Sequence, residues 1–508
     1  MNLDNMKQWY KGHRYDVFVM LSCFVFILLT ALAIDKEILQ FPYIVLLLIG
    51  LYVLCFHTEK FFYLTCFIIP FSIELREITP KVTSSLSIPS ELMLVGLALL
   101  FLCDLLINRD YSNDIKRHGV SRLFYFYFFW LLITAIVSTL PIVSFKFMAA
   151  KLWFILPAYF FFASLLEKNI KKASTFFLSY VLGLAVVVCM TTYKHIGLGN
   201  VRQVAYWVMS PYYNDHTAYG AVLAFFLPIL ALLPFVKSLE KWKKWLSLVL
   251  IIPIAVGLYL SFSRAAWLSL IVAIGVLAIL LMKIKFKVVF AGLAVVLALG
   301  ILWGPDLMRQ LSKNEVDSSS GNLVEHIQSM SNISTDASNV ERLNRWVSAW
   351  GMFQDKPVFG FGPGTYQFNY AQYQKPAYRT IITTNAGDGG NAHSEYLGPL
   401  SESGLLGMLI VITLVLMVLV KGINVYRYAK DHDIRIYALM STLSLITYFL
   451  HGILNNFLDT EKLAIPVFGA MAVIVVCDIK YKKELEESSS NENTLHAEDD
   501  LYLSEHKG

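Results

Sequence analysis

The sequence predicts an all-α protein that crosses a membrane many times, and three features lead there. Hydrophobic residues make up 56% of the 508 and charged residues only 16%, with a mean hydropathy of +0.57. A soluble chain carries roughly 25% charged residues to cover its surface, so a water-soluble enzyme is excluded. The apolar residues fall in continuous runs, not in alternation, which excludes a transmembrane barrel. A bilayer core takes about 20 apolar residues per helix, and most of the runs are close to that length.

Candidate spans lie near 16–34, 38–56, 60–76, 90–108, 122–140, 149–166, 174–192, 217–236, 244–262, 264–282, 286–304, 396–420, 436–455 and 463–479, a polytopic bundle of about 12–14 spans. Lys7, Lys11 and Arg14 precede the first run. No small-residue cleavage site follows them and a second run comes at once, so this is expected to be an uncleaved first helix. Alternate connections carry basic clusters: Arg109, Lys116, Arg117 and Arg122; Lys168, Lys171 and Lys172; Lys237, Lys241, Lys243 and Lys244; Lys283, Lys285 and Lys287; Lys421, Arg427, Lys430 and Arg435. Basic loops stay inside, so both termini are expected to be cytoplasmic. The net charge of +5 is small for this length and does not suggest a nucleic-acid binder. Cys23, Cys55, Cys66, Cys103, Cys189 and Cys477 lie in or beside apolar runs without CxxC spacing, which indicates neither a disulfide framework nor a zinc site.

Four regions follow: a transmembrane region at 1–304, a large outer loop at 305–395, C-terminal transmembrane helices at 396–479, and a charged, aromatic-poor tail at 480–508 that is expected to be disordered. A shorter outer loop spans about 193–216. There is no internal repeat. In the large loop, 313–339 is polar and Ser/Asn-rich, and at least partly mobile by composition. An amphipathic helix comes next: Ser338 and Glu341 have capping-box spacing, and Val340, Leu343, Trp346, Trp350 and Phe353 recur at helical spacing.

The residues that carry chemistry gather on the outer side. Arg264, in SFSRAAWLSLIV, stands at the membrane boundary between two spans, where an arginine marks a functional site by default; snorkelling to headgroups is the bland alternative. Asn214, Asp215 and His216 directly precede a span, as substrate contacts, as a network holding the arginines, or as a helix N-cap. Arg342 and Arg345, three apart on the loop helix, project away from the Trp/Leu stripe and suit a phosphate, with a solvated basic face as the plainer reading for Arg345. Gly360–Gly364 (GFGPG) follows no buried strand and carries no lysine, so it is read as a sharp turn needing positive φ, not a nucleotide cradle. Tyr366, Phe368, Tyr370, Tyr373 and Tyr378 fit sugar stacking and an interfacial aromatic belt equally. His393 precedes a span on the same outer side as the arginines. With an ordinary pKa of about 6.5 it is a natural general base, which Glu395 or Glu402 would orient unless they cap the helix. Asp431-His432-Asp433 falls in a cytoplasmic turn. No outward His/Asp/Glu cluster has ligand spacing, so neither a metal nor another cofactor is expected. Arginines beside a histidine at a membrane surface point to a phosphorylated lipid bearing a polar cargo.

SRAAWLSLIV, the run from Arg342 to Tyr366 ending P-x-x-G-x-G-P-G-x-Y, AHSEYLGPLSESGLLG and SPYYNDHTAYG together cover about a third of the chain. They resemble, in order and around a large outer loop, the bacterial O-antigen ligase/polymerase superfamily of membrane glycosyltransferases. The resemblance implies a GT-C-like helical bundle in the bacterial inner (cytoplasmic) membrane, active on the periplasmic face. It implies an undecaprenyl-pyrophosphate-linked glycan donor whose pyrophosphate meets Arg264 and Arg342, with His393 as the base. The acceptor hydroxyl is then on lipid A–core (a ligase, the favoured reading), on another lipid-linked glycan (a polymerase), or on a protein Ser/Thr. Transfer would invert the anomeric carbon without metal or nucleotide sugar. Asn214, Asp215, His216, Arg345, Glu395 and Tyr366 are the candidate substrate contacts. The Asn that usually follows the family histidine is replaced here, giving His393-Ser394-Glu395. The rival reading from another class is a non-enzymatic glycolipid transporter, disfavoured because the charges gather at one face and not at the midplane.

Overall fold

The structure is a computed structural model in which residues 50, 52–78, 86–107, 111–199, 203–284, 337–376 and 390–505 are described, with side chains to residue 488. The expected spans at 16–34 and 286–304, most of 38–56, and the polar segment up to residue 336 lie outside these residues. Among the described residues ten helices are long and apolar enough to cross a membrane. After the short α1 (Thr58–Ile68) they are α2 (Ser90–Ile107), α3 (Gly119–Ile136), α4 (Pro141–Lys168), α5 (Lys172–Gly197), α6 (His216–Phe235), α7 (Lys241–Leu260) and α8 (Arg264–Leu281). The loop helix α9 (Ala337–Asp355) follows, then α10 (Leu397–Tyr428), α11 (His432–Leu454) and α12 (Glu461–Glu505). The helices from Ser90 onward belong to one compact unit, Tyr63–Gly508.

The span expected at 60–76 does not form. Helix α1 has 11 residues, about 16 Å of rise, and gives way to a 3-10 turn at Ile69–Phe71. Pro70 in that turn lacks the N–H that would continue the helix. The chain then enters a two-residue strand, Ile73–Glu74, paired antiparallel with Ser87–Ile88. The tail also differs from expectation, because α12 continues to Glu505. Its Lys and Glu are good helix formers, and Lys483 pairs with Asp114 at 2.7 Å while Lys430 Nζ donates to Ser488 Oγ at 2.6 Å.

Burial sorts the helices. The apolar stretch of α12 is 94% enclosed and that of α11 83%, against 22% for α8. The centre is therefore α11 and α12 with α5 and α6, while α7 and α8 turn most of their surface outward. Lipid is as apolar as leucine, so close packing and interhelical hydrogen bonds hold such a bundle. Asp478 of α12 accepts from His118 Nε2 (2.9 Å), Lys421 Nζ (2.8 Å) and Lys482 Nζ (3.1 Å). Lys151 of α4 donates to Asp459 Oδ1 and to the Leu458 carbonyl, both at 2.8 Å.

Helix α10 is broken near its start, at Gly404 (φ 70, ψ −172). The break exposes carbonyls that the large loop fills: Phe361 N–H donates to Ser401 O (3.1 Å) and Gly362 N–H to Glu402 O (2.8 Å), while Trp130 Nε1 donates to Ser403 O (2.9 Å). In return Leu405 N–H donates to Pro357 O at 3.0 Å. On its other side the loop meets the α3–α4 turn, where Thr139 N–H and hydroxyl both donate to Phe361 O. Gly360, Gly362 and Gly364 all have positive φ (66, 111 and 75), as the turn reading expects.

This geometry predicts that Gly404→Ala unseats the loop. A Cβ there would lie 2.0 Å from Val358 O, whereas Gly275 has open space around it. The backbone conformation alone costs an alanine about 1–3 kcal/mol. Thermal unfolding in detergent should show a clear drop in Tm for Gly404→Ala and little change for Gly275→Ala; equal Tm values would remove the break from the account.

Candidate functional site

Helices α6, α8 and α10 begin, and α7 and α11 end, at one end of the bundle, where the loop also docks. Asp215 is the N-cap of α6: Oδ1 accepts from Thr217 N (2.7 Å), Ala218 N (2.8 Å) and the Thr217 hydroxyl. The capping alternative therefore holds for that oxygen. Asn214 Nδ2 donates to Glu74 Oε1 of the small hairpin at 2.6 Å, and the His216 ring meets Tyr206 edge-on at 4.6 Å. One turn into α6, Gly220 lets the α7–α8 link come close, since a Cβ would lie 2.6 Å from Ser263 Cβ. That contact brings Arg264, the next residue and the first of α8, to the same end as Asp215.

Helix α9 carries the loop arginines differently from the sequence reading. Arg345 is not on a solvated face but 4% exposed. Its Nε donates to Glu341 Oε1 (2.7 Å), its plane lies over the Tyr370 ring at 4.1 Å, and its amino groups face Gly390, whose Cβ would come within 2.6 Å of Nη1. Glu341 is thus an ion-pair partner within α9. Tyr366 is 2% exposed, stacked on Tyr370 at 5.1 Å, with its hydroxyl donating to Arg345 O (2.8 Å) and its N–H to Glu402 Oε1 (2.9 Å). Tyr366 and Tyr370 form a core for the loop and present no exposed stacking face. Arg342, three residues before Arg345, is half-buried and reaches the end of α11, where Nε donates to Leu454 O at 3.3 Å. Helix C-termini favour such cations.

His393 sits in a turn pinned from both sides. It has φ +48, unusual for any residue but glycine. Its N–H donates to Asn391 Oδ1 (3.0 Å) and its carbonyl accepts from Trp346 Nε1 of α9 (3.3 Å). Two residues on, Glu395 N–H donates to Gly452 O of α11 (2.8 Å). The Glu395 carboxylate accepts from Phe457 N (2.8 Å), Leu458 N (2.9 Å) and the Tyr448 hydroxyl. Glu395 therefore clips the α11–α12 link, and Glu402 holds the loop; neither bonds to His393. The imidazole has no hydrogen-bond partner among the described residues. Burial, and then the charges of Arg342 and Arg345, push its pKa down to about 4, with Asp215 and Glu341 opposing. It is neutral at pH 7, and its neighbours are the residues the sequence singles out.

A cavity of about 930 Å³ opens beside this turn. Asn214, Asn391, Ala392 and Glu395 line it next to His393, Lys146 and the Lys151–Asp459 pair add charge, and Leu131, Val411, Leu414 and Val415 continue it along apolar helix faces. Among the described residues no three His, Cys, Asp or Glu side chains gather as metal ligands would. Asp431 caps α11, accepting from Asp433 N and Ile434 N.

Residues 246–412 match the family model described as O-antigen ligase. The match runs from α7 into α10 and includes Arg264, Arg342 and His393, and it supports the resemblance to the O-antigen ligase-like superfamily of membrane glycosyltransferases. No curated protein matches the chain. Asp215 lies outside the matched stretch, as do Lys151 and His451, two buried residues the sequence reading passed over. Their signal was present in each case, an ionisable side chain inside an apolar run.

The depressed pKa is directly measurable. Between pH 7 and 5 an exposed histidine of pKa about 6.5 loses about 25-fold in its neutral fraction, while His393 at about 4 loses little. Labelling with diethyl pyrocarbonate, which attacks only neutral imidazole, followed by peptide mass mapping, should find His393 nearly as reactive at pH 5 as at pH 7. A fall in step with exposed histidines would refute the shift.

Proposed function

We propose that this protein transfers a glycan from an undecaprenyl-pyrophosphate carrier to an acceptor hydroxyl at the periplasmic face of the bacterial inner membrane, with lipid A–core as the first-choice acceptor. The observation that carries the reading is His393: neutral, without a side-chain hydrogen-bond partner among the described residues, and within the fields of Arg342 and Arg345. A neutral imidazole can take a proton, and adjacent guanidinium groups can take the charge that gathers on a leaving pyrophosphate.

The pyrophosphate lies against Arg264 and Arg342, and the lipid runs along the apolar wall of the cavity. His393 removes the proton of the attacking hydroxyl as it forms the bond to the anomeric carbon. The bond to the pyrophosphate oxygen breaks with inversion. Arg345 acts through its field on His393, and Glu395 by holding the α11–α12 link. The O-antigen ligase match supports this chemistry in general; a polymerase using a second lipid-linked glycan, or a protein Ser/Thr acceptor, is the alternative for the acceptor alone.

In a transfer assay with purified protein and no imposed gradient, His393→Ala should lose activity at least about 100-fold, and Arg264→Ala and Arg342→Ala comparably, all at normal membrane levels. Full activity of His393→Ala would sink the assignment, and no transfer by wild type on any acceptor would favour a transporter. The acid limb of kcat/KM should fall near pH 4, following free His393. That of kcat should fall at higher pH, because a bound pyrophosphate anion offsets the two arginines and raises the imidazole pKa. Surface glycolipids from a null strain separate the acceptors: long lipid-linked polymer with no capped lipid A–core marks a ligase, and single repeats mark a polymerase.

A further inference from the structure

His451 lies in the last turn of α11 and is 1% exposed. Asp215, His216 and Arg342 are all within electrostatic reach of it. Its ring is fixed, with Phe457 packed at 5.7 Å and Asn455 Nδ2 lying 3.1 Å from Nε2. An amide NH2 group only donates. Nε2 therefore accepts, and the neutral ring carries its proton on Nδ1. That Nδ1 is buried and has no hydrogen-bond partner among the described residues. A buried donor left unanswered loses a hydrogen bond that water would have made, so such groups call for an explanation. Arg342 supplies a direction for one: its Nε is tied to Leu454 O, three residues past His451 on the same helix. Arg342 and the imidazole thus belong to one helix end, and the Arg342 charge acts on the His451 ring.

We propose that the His451 Nδ1–H donates a hydrogen bond to a phosphate oxygen of the lipid-linked pyrophosphate, beside Arg342. The inference rests on the reading that the pyrophosphate binds against Arg264 and Arg342. His451 adds a neutral, directional donor where the arginines add charge, and a donor fixed by Asn455 needs no reorganisation when the anion arrives.

The test is binding of undecaprenyl pyrophosphate to the full-length protein in nanodiscs. The amide nitrogen of asparagine falls where histidine has Nδ1, and that of glutamine where it has Nε2. His451→Asn should bind within about threefold of wild type, while His451→Gln and His451→Leu should bind at least about tenfold more weakly. Wild-type affinity in His451→Leu, or equal affinities for the Asn and Gln variants, would overturn the proposal. If the Leu variant fails to fold, the Asn–Gln comparison decides alone. Arg342→Gln, measured alongside, keeps the two readings apart. If it weakens binding and the His451 variants do not, only this inference falls; if it too binds like wild type, the pyrophosphate reading itself falls.

Discussion

The break in α10 at Ser401–Gly404 is the constraint on which the rest of the site depends. A loop backbone resting against a membrane helix must satisfy its N–H and C=O groups within the protein. An unbroken helix offers no free carbonyls there. The Gly404 conformation turns Ser401, Glu402 and Ser403 carbonyls outward to Phe361, Gly362 and Trp130, and so seats the loop. Helix α9 leads directly into the seated turn, and through it Trp346 reaches the His393 carbonyl while Arg342 reaches the end of α11. A glycine in one helix thus fixes where side chains of another stand.

The two loop arginines divide the electrostatic labour. Arg345, enclosed by Glu341, Tyr370 and Gly390, is a fixed charge, whereas Arg342 is half-buried at a helix end. Both depress His393. A base of pKa about 4 is feeble, which looks like a defect in a proton acceptor. An anionic ligand would offset part of this: negative charge beside Arg342 opposes the arginine contribution, which comes second to burial, so the proposed donor would strengthen the proposed base.

Much of this was legible in the chain. Long apolar runs gave the helices from Ser90 onward, and three glycines in Gly360–Gly364 gave a turn with positive φ because only glycine adopts it freely. Arg264, Asp215 and His393 stand out in the sequence because polar residues at the ends of apolar runs are costly to place without reason, and Arg342 because it projects from the loop helix away from its Trp/Leu stripe. What escaped depended on pairing across distance. A helical wheel assigns Arg345 to the polar face, since nothing local reveals that Tyr366, Tyr370 and Gly390 fold over it. From sequence Glu395 is either an orienter of the histidine two residues away or a helix cap, while the N–H groups it accepts from, Phe457 and Leu458, lie about sixty residues on. Hydropathy counted 60–76 as a span because it averages over Pro70 and the polar residues that follow.

Helix α10 is held at its other end as well, and that completes the argument for a rigid site. Lys421 shares the buried Asp478 carboxylate with His118 and Lys482, so α3, α10 and α12 meet at one acceptor. A carboxylate removed from water is tolerated only when its oxygens are answered; Lys482 answers from one turn along the same helix, while His118 and Lys421 tie two other stretches of chain to the same point. Trp130 of α3 meets the α10 break at the opposite end, so α3 and α10 are joined at both ends of their length. The broken turn therefore cannot drift along its neighbour. The loop, Arg342 and the His393 turn inherit their positions from that pair of joints, one built on a glycine and the other on an aspartate.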